Sequence, residues 1–201
     1  MNKTKIGIFS GTFDPVHMGH VAFALEAKQE LKLDSVFFLP ELSPRLKQPT
    51  SIQHRFKMLE LSIEGQAGLS VKLLKIPRYS VKDTLPELQR IFGNTQLVLL
   101  LGSDLVRTFK YRWDGLQELF HSVELAIGLR GEDTKAEMVE LLKNCARDYG
   151  TTITFQVLPT PHAKLASTQI RQGTFTIKDI HPKVALYIEK HNLYIDSVNR
   201  S

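Results

Sequence analysis

Short apolar runs alternate with helically spaced apolar positions along most of this chain. The runs fall at Lys5–Phe9, Ser35–Leu39, Leu69–Ile76, Gln96–Leu101, Val123–Leu129 and Thr152–Leu158, all of strand length. Between them Val21, Ala24, Leu25 and Leu31 mark one helical face and Ile52, Phe56, Leu59 and Ile63 a second. Met138, Leu141, Leu142 and Cys145 mark another. This βαβα order predicts an α/β fold: a doubly wound, mainly parallel sheet with helices on both faces and right-handed crossovers. No repeat, low-complexity segment or linker divides the chain. Residues 1–201 therefore read as one domain, with a small helical subdomain from about residue 166 to 201.

At 201 residues, 42% hydrophobic and 23% charged, the composition is that of a globular domain with a substantial core. No apolar run approaches the roughly 18–20 residues that span a bilayer, and no signal-peptide core follows the N-terminus, so a cytoplasmic protein without a membrane partner is expected. The one cysteine, Cys145, excludes an intrachain disulfide and shares a face with Met138, Leu141 and Leu142, which makes it core. A net charge of +5 is compatible with anionic ligands. The basic residues are scattered and no aromatic–basic motif appears, which argues against a nucleic-acid partner. Oligomeric state is not legible.

Candidate chemistry gathers where apolar runs end. After Lys5–Phe9, Ser10 and Gly11 allow a tight turn, Asp14-Pro15 breaks regular structure, and a helical pattern begins just after Gly19. His17 and His20 then sit at or just before a helix N-terminus, where free N–H groups and partial positive charge suit phosphate. Read alone, this is also a βα turn with two surface histidines. His-x-x-His is a possible metal pair, but no nearby Cys or further His completes a tetrahedral set. Gly102-Ser103-Asp104 follows another run: Gly102 admits a nucleoside to the backbone and Asp104 can accept from ribose hydroxyls. A helix N-cap explains the triplet equally well. In Ala166-Ser167-Thr168-Gln169-Ile170-Arg171, Ser167 or Thr168 can cap a short helix and Arg171 can fork onto a polyphosphate; an ordinary cap followed by a surface arginine is the plain alternative.

Together these residues resemble the nucleotidylyltransferase superfamily with its H-x-G-H motif. Gly11-Thr-Phe-Asp-Pro-Val-His-Met-Gly-His20 is similar to the wider signature of the bacterial nicotinate or nicotinamide mononucleotide adenylyltransferases. Ser167 to Arg171 resembles their S-S-T-x-I-R, with Ala166 replacing the first serine. His181-Pro182-Lys183-Val184 through Tyr187-Ile188, His191 and Leu193-Tyr194 resembles their closing segment. Val184, Tyr187, Ile188 and His191 fall on one helical face and read as packing. The likeness extends to Arg55–Ile63, Asp83-Thr84-Leu85 and the segment from Gly102 to Trp113, so it covers nearly the whole chain.

The resemblance implies a Rossmann-like fold and attack of a mononucleotide 5′-phosphate on the α-phosphorus of ATP, with pyrophosphate leaving. It implies that His17, His20 and Arg171 are catalytic, and that Gly11, Thr12, Phe13, Gly102, Asp104, Ser167 and Thr168 join them in binding ATP. Lys47, Ser80, Val81, Thr84 and Trp113 would hold the mononucleotide; Trp113 reads equally as core. Mg²⁺ is expected on the ATP phosphates, with no protein metal site. Three departures stand out. Pro44-Arg45-Leu46-Lys47 replaces the usual P-P-H-K, Tyr79-Ser80-Val81-Lys82 lies one place out of register with S-Y-T-x, and Gly173 follows Arg171 early. Arg45, Lys47, Arg78 and Lys82 favour the acid mononucleotide over the amide. The alternatives are transfer to nicotinamide mononucleotide or another phosphorylated acceptor such as phosphopantetheine and, more remotely, a nucleotide-binding regulator without turnover.

Overall fold

The computed structural model describes residues 4–44, 48–160, 165, 167–172, 176 and 178–194. Among them the order is β1 (Lys5–Gly11), α1 (Met18–Glu30), β2 (Ser35–Pro40), α2 (Ile52–Ser62), β3 (Leu69–Val71) and α3 (Val81–Phe92). Then come β4 (Gln96–Gly102), α4 (Ser103–Val106), α5 (Leu116–Ser122), β5 (Glu124–Gly128), α6 (Lys135–Asp148), β6 (Phe155–Leu158), α7 (Ser167–Arg171) and α8 (Pro182–Lys190). The strands form one sheet in the order β3-β2-β1-β4-β5-β6, and every pairing is parallel. The chain builds outward from β1 through β2 to β3, then returns to β1's other side and builds outward again. Strand order thus reverses between β1 and β4, where a crevice opens beyond the strand ends.

The strands are apolar nearly throughout because both sheet faces are covered. Alternate residues serve two cores. Phe9, Val36, Phe38, Val98 and Leu100 pack under α1, α2 and α8. Ile6, Ile8, Leu39, Leu97, Leu101, Leu125 and Ile127 pack under α3, α5 and α6. Cys145 belongs to the second core, and its burial, followed by the nearby Asp148, pushes the thiol pKa up, so it is packing rather than chemistry. No described helix is long and apolar enough to cross a membrane.

Gly7 sits where β1 is squeezed between neighbours. A Cβ there would lie 2.9 Å from Leu33 Cδ1 and Val36 Cγ2 and 3.0 Å from Leu100 Cδ1, all on buried side chains. Gly7→Ala would gain about 0.4–1 kcal/mol from a stiffer unfolded chain but lose about 1–3 kcal/mol to overpacking. Overpacking wins, so the urea midpoint should fall; an unchanged or higher midpoint would show that the three side chains can yield.

Several expected boundaries shift. The run Leu69–Ile76 pairs only as Leu69–Val71, because beyond it the edge strand leaves β2 and turns Leu74 into the core. The run Thr152–Leu158 pairs only over Phe155–Leu158, and Val123 caps α5 rather than opening β5. The helix after the signature begins at Met18, with His17 as its N-cap, instead of after Gly19. The buried face of α2 is Arg55, Met58, Leu59 and Ser62, not the expected stripe including Ile52 and Phe56, because an arginine turns inward with its charge satisfied by carbonyls.

Candidate active site

The loop joining β1 to α1 is tied down at nearly every residue. The Arg55 side chain, only 1% exposed, donates from Nε to the Thr50 carbonyl and from Nη1 to the Thr12 carbonyl, both at 2.8 Å; Nη2 reaches the Leu42 carbonyl at 3.4 Å. Burial lowers the Arg55 pKa, and Asp14 is the foremost charge opposing that shift. Phe13 has φ of 49°, in the left-handed region, which costs of order 1–3 kcal/mol for such a residue. Its ring is held against Phe9, Phe38 and His20, at centroid distances of 5.3, 5.6 and 5.1 Å. Phe13 was expected to bind ATP, but with the ring 3% exposed in the core only its backbone can face a ligand.

Asp14 is buried, and the Thr50 amide donates to its Oδ2 at 3.2 Å and the Tyr194 hydroxyl to its Oδ1 at 2.7 Å. The next ties come from α7. Arg171 donates from Nη1 to the Asp14 carbonyl at 2.6 Å and from Nη2 to Thr168 Oγ1 at 3.0 Å. The Ser167 hydroxyl donates to the Pro15 carbonyl at 2.9 Å. The two distant motifs therefore meet.

His17 and His20 lie at the start of α1 with their rings stacked, centroids 3.6 Å apart at 28°. The His17 backbone N–H donates to His20 Nδ1 at 3.2 Å, which leaves the proton of a neutral His20 on Nε2. Burial, then the neighbouring His17, then Arg130 hold the His20 pKa well below the usual imidazole value. At neutral pH His20 is an uncharged donor through Nε2–H.

That depressed value couples to folding. In the unfolded chain His20 takes up a proton near pH 6.5, whereas in the fold it does not until the pH is well lower. Acid therefore favours the unfolded state, and the stability present above about pH 6.5 is lost as pH falls through that window. Melting temperatures measured from pH 7.5 to 5 should fall more steeply for the wild type than for His20→Asn. Parallel slopes would assign the acid sensitivity to other groups.

Beyond the ends of β1 and β4 a small cleft is lined by His20, Phe23, Gly102, Gly128, Arg130 and Thr160, among others. Gly128 lies close against the Phe23 ring: a Cβ there would be 3.0 Å from it, so the ring would have to give by a few tenths of an ångström. Asp104 is exposed in the first turn of α4, and its carboxylate lies over Gly102, so a side chain at that glycine would displace it. The buried Ser103 hydroxyl accepts from the Arg130 backbone N–H at 2.9 Å, and Arg130 Nη1 donates to the Leu165 carbonyl at 3.2 Å. Arg130 went unrecognised in the sequence. Its one signal is position: it follows the apolar run that becomes β5, the strand beside β4.

The residues expected to hold a mononucleotide form a second group. Ser80 caps α3, accepting from the Asp83 amide at 3.1 Å, and Thr84 Oγ1 accepts from the Ser80 amide at 3.2 Å. Val81 packs beneath Gly115, where a Cβ would lie 3.1 Å from it, so α3 begins beside the Trp113 loop. Trp113 is half-buried and meets the Phe109 ring edge-on at 5.2 Å. Lys82 pairs with Asp114 at 2.5 Å, while Arg78 is exposed. The Tyr79 hydroxyl donates to the Pro40 carbonyl at 3.3 Å. Arg45, Leu46, Lys47, Ala166 and Gly173 lie outside the described residues. Among the described residues no three or more His, Cys, Asp or Glu side chains gather to hold a metal ion.

A phosphate-receptive helix start at the strand switch point of a parallel α/β sheet defines a nucleotide-handling protein of the doubly wound class. More narrowly, the chain belongs to the cytidylyltransferase-like family, which residues 8–173 match. It is 34% identical over 200 residues, 96% of this chain and 100% of its relative, to a Bordetella pertussis protein named as a probable nicotinate-nucleotide adenylyltransferase. It is 33% identical over 202 residues, 96% of each chain, to a Dictyoglomus turgidum protein of the same name. Its fold is similar to that of Plasmodium falciparum nicotinic acid mononucleotide adenylyltransferase complexed with NaAD. The TM-score is 0.75 at 20% identity, covering 96% of this chain and 98% of that one.

Proposed function

We propose that this chain transfers the adenylyl group of ATP to nicotinate mononucleotide, giving deamido-NAD and pyrophosphate in NAD biosynthesis. The observation that carries the reading is the neutral His20 at the start of α1, sharing its cleft with Arg130, while Arg171 holds the loop just before it at the Asp14 carbonyl. It sits in a chain whose full-length relatives bear that activity in their names. A mononucleotide phosphate oxygen attacks the α-phosphorus of ATP, and the bond from that phosphorus to the bridging oxygen breaks. The attacking phosphate is already ionised, so positioning and charge stabilisation supply the catalysis.

His20 Nε2–H and His17 donate to the α- and β-phosphates as charge builds on the bridging oxygen. Arg171, with Ser167 and Thr168, holds the β- and γ-phosphates, and Arg130 adds positive charge beside His20. The backbone of Gly11, Thr12 and Phe13 lines the triphosphate, and Asp104 takes the adenosine ribose over Gly102. Lys47 steers the incoming monophosphate, and Ser80, Val81, Thr84 and Trp113 receive its pyridine end. Mg²⁺ travels on the phosphate oxygens, which fits a site of imidazoles and guanidinium groups whose buried carboxylate, Asp14, is already engaged. When bound it neutralises triphosphate charge. In this role residues 1–201 act as one cytoplasmic catalytic domain with a helical subdomain from about 166 to 201.

Pyrophosphate release from ATP tests this with nicotinate mononucleotide, nicotinamide mononucleotide and phosphopantetheine side by side. The acid should give the highest kcat/KM, because Lys47, Arg45 or the exposed Arg78 can meet its extra carboxylate, and about 1.4 kcal/mol gives a tenfold preference. An equal or higher value for the amide would defeat the acid preference, and ATP binding without turnover on any acceptor would defeat the enzyme reading.

A further inference from the structure

Resting on the adenylyl-transfer reading, we propose that Tyr194 is a positioning residue of the active site: its hydroxyl holds the Asp14 carboxylate, and through it the loop that delivers His17 and His20. Asp14 stands three residues before His17. Three parts of the chain converge on it: the Tyr194 hydroxyl on Oδ1 at 2.7 Å, the Thr50 amide on Oδ2 at 3.2 Å, and Arg171 on its carbonyl at 2.6 Å. Arg55 grips Thr12 and Thr50 from the other side, so Thr50 is shared between the carboxylate and the guanidinium. A shift of Asp14 therefore moves both ends of the same network.

Tyr194 is delivered to this place under constraint. The α8 helix is docked on α2, where the Tyr187 hydroxyl and His54 Nδ1 lie 2.9 Å apart and the His191 ring packs against both residues. The chain then turns, with the Leu193 amide donating to the Ile188 carbonyl at 3.0 Å. In that turn Asn192 and Tyr194 have φ of 50° and 68°. A tyrosine in the left-handed region is a strained conformer that persists only where its surroundings over-determine it, and functional sites are where such strain concentrates. Burial also raises the phenol pKa well above its ordinary value, so the hydroxyl remains a donor across the working pH range.

Small misplacements of positioning groups are expensive for catalysis, up to about a hundredfold per ångström. Tyr194→Phe removes only the hydroxyl, so kcat should fall about tenfold while the KM for ATP changes less than about threefold. The His20 imidazole ¹⁵N signals should shift as the His17 N–H to Nδ1 contact loosens. If Tyr194 acts through Asp14, the double variant Tyr194→Phe/Asp14→Ala should be no slower than Asp14→Ala alone, because alanine offers the hydroxyl no acceptor. A kcat within twofold of wild type with unmoved His20 signals would overturn the proposal, as would losses that multiply in the double variant. Should the wild type release no pyrophosphate from any acceptor, the adenylyl-transfer reading fails. The imidazole signals of Tyr194→Phe then decide the positioning claim: shifted supports it, unmoved defeats it.

Discussion

His20→Asn lowers kcat by a hundredfold or more and leaves the protein folded. Alanine is the poorer test, because the ring is 8% exposed, stacks on His17 and packs against Phe9 and Phe13, so its complete removal opens a cavity in the aromatic cluster. Asparagine retains an acceptor close to the Nδ1 position, so it can still take the His17 N–H, but offers nothing where Nε2–H was. The lost packing costs about 1–2 kcal/mol, well inside the roughly 5–15 kcal/mol by which domains are stable. Losing one donor to developing charge costs about 2.7–4 kcal/mol in the barrier, or a factor of about 10² to 10³. The kinetic effect therefore dominates. Pyrophosphate release together with a melting curve checks it; a folded His20→Asn enzyme within threefold of wild-type kcat would remove this imidazole from the mechanism.

Arg171→Lys raises the KM for ATP about tenfold. Arginine offers a planar fork, and here one arm already reaches the Asp14 carbonyl and another Thr168 Oγ1. Lysine keeps the charge as a single point and cannot hold both partners while meeting a polyphosphate. The loss of one charge-assisted contact, near 1.4 kcal/mol, corresponds to that tenfold change. Overlaying ATP titrations for variant and wild type would show that Arg171 does not touch the triphosphate.

The six strands were legible because each is a short apolar run covered on both faces, and the switch point followed once the runs alternated with helices. The edges were less legible: β3 stops at Val71 although the apolar pattern continues, because after the Lys72 amide donates to the Phe38 carbonyl the chain leaves the β2 ladder. Arg55 misled the assignment of the α2 face, since hydropathy sends an arginine outward while this one is satisfied by three carbonyls. The candidate residues His17, His20, Arg171 and Asp104 stand in local motifs of the sequence. Arg130 carried no motif, only its place after β5. The link from Asp14 to Tyr194 spans 180 positions, and no spacing rule reaches that far.

The ties of Ser167, Arg171 and Tyr194 to the first loop also order events during synthesis. The β1–α1 segment leaves the ribosome well ahead of the side chains that fix it, which arrive more than 150 positions later. Nascent chains fold in units as they emerge. A chain stalled after β6 thus has every strand of the sheet but a first loop without its late fastenings. For the proposed reaction, the loop gains its full set of fastenings only once α8 and Tyr194 have emerged. In the finished protein the same dependence runs backward: loosening α8 unlocks the loop first, ahead of the sheet, so amide exchange should appear at residues 12–17 before it reaches β1.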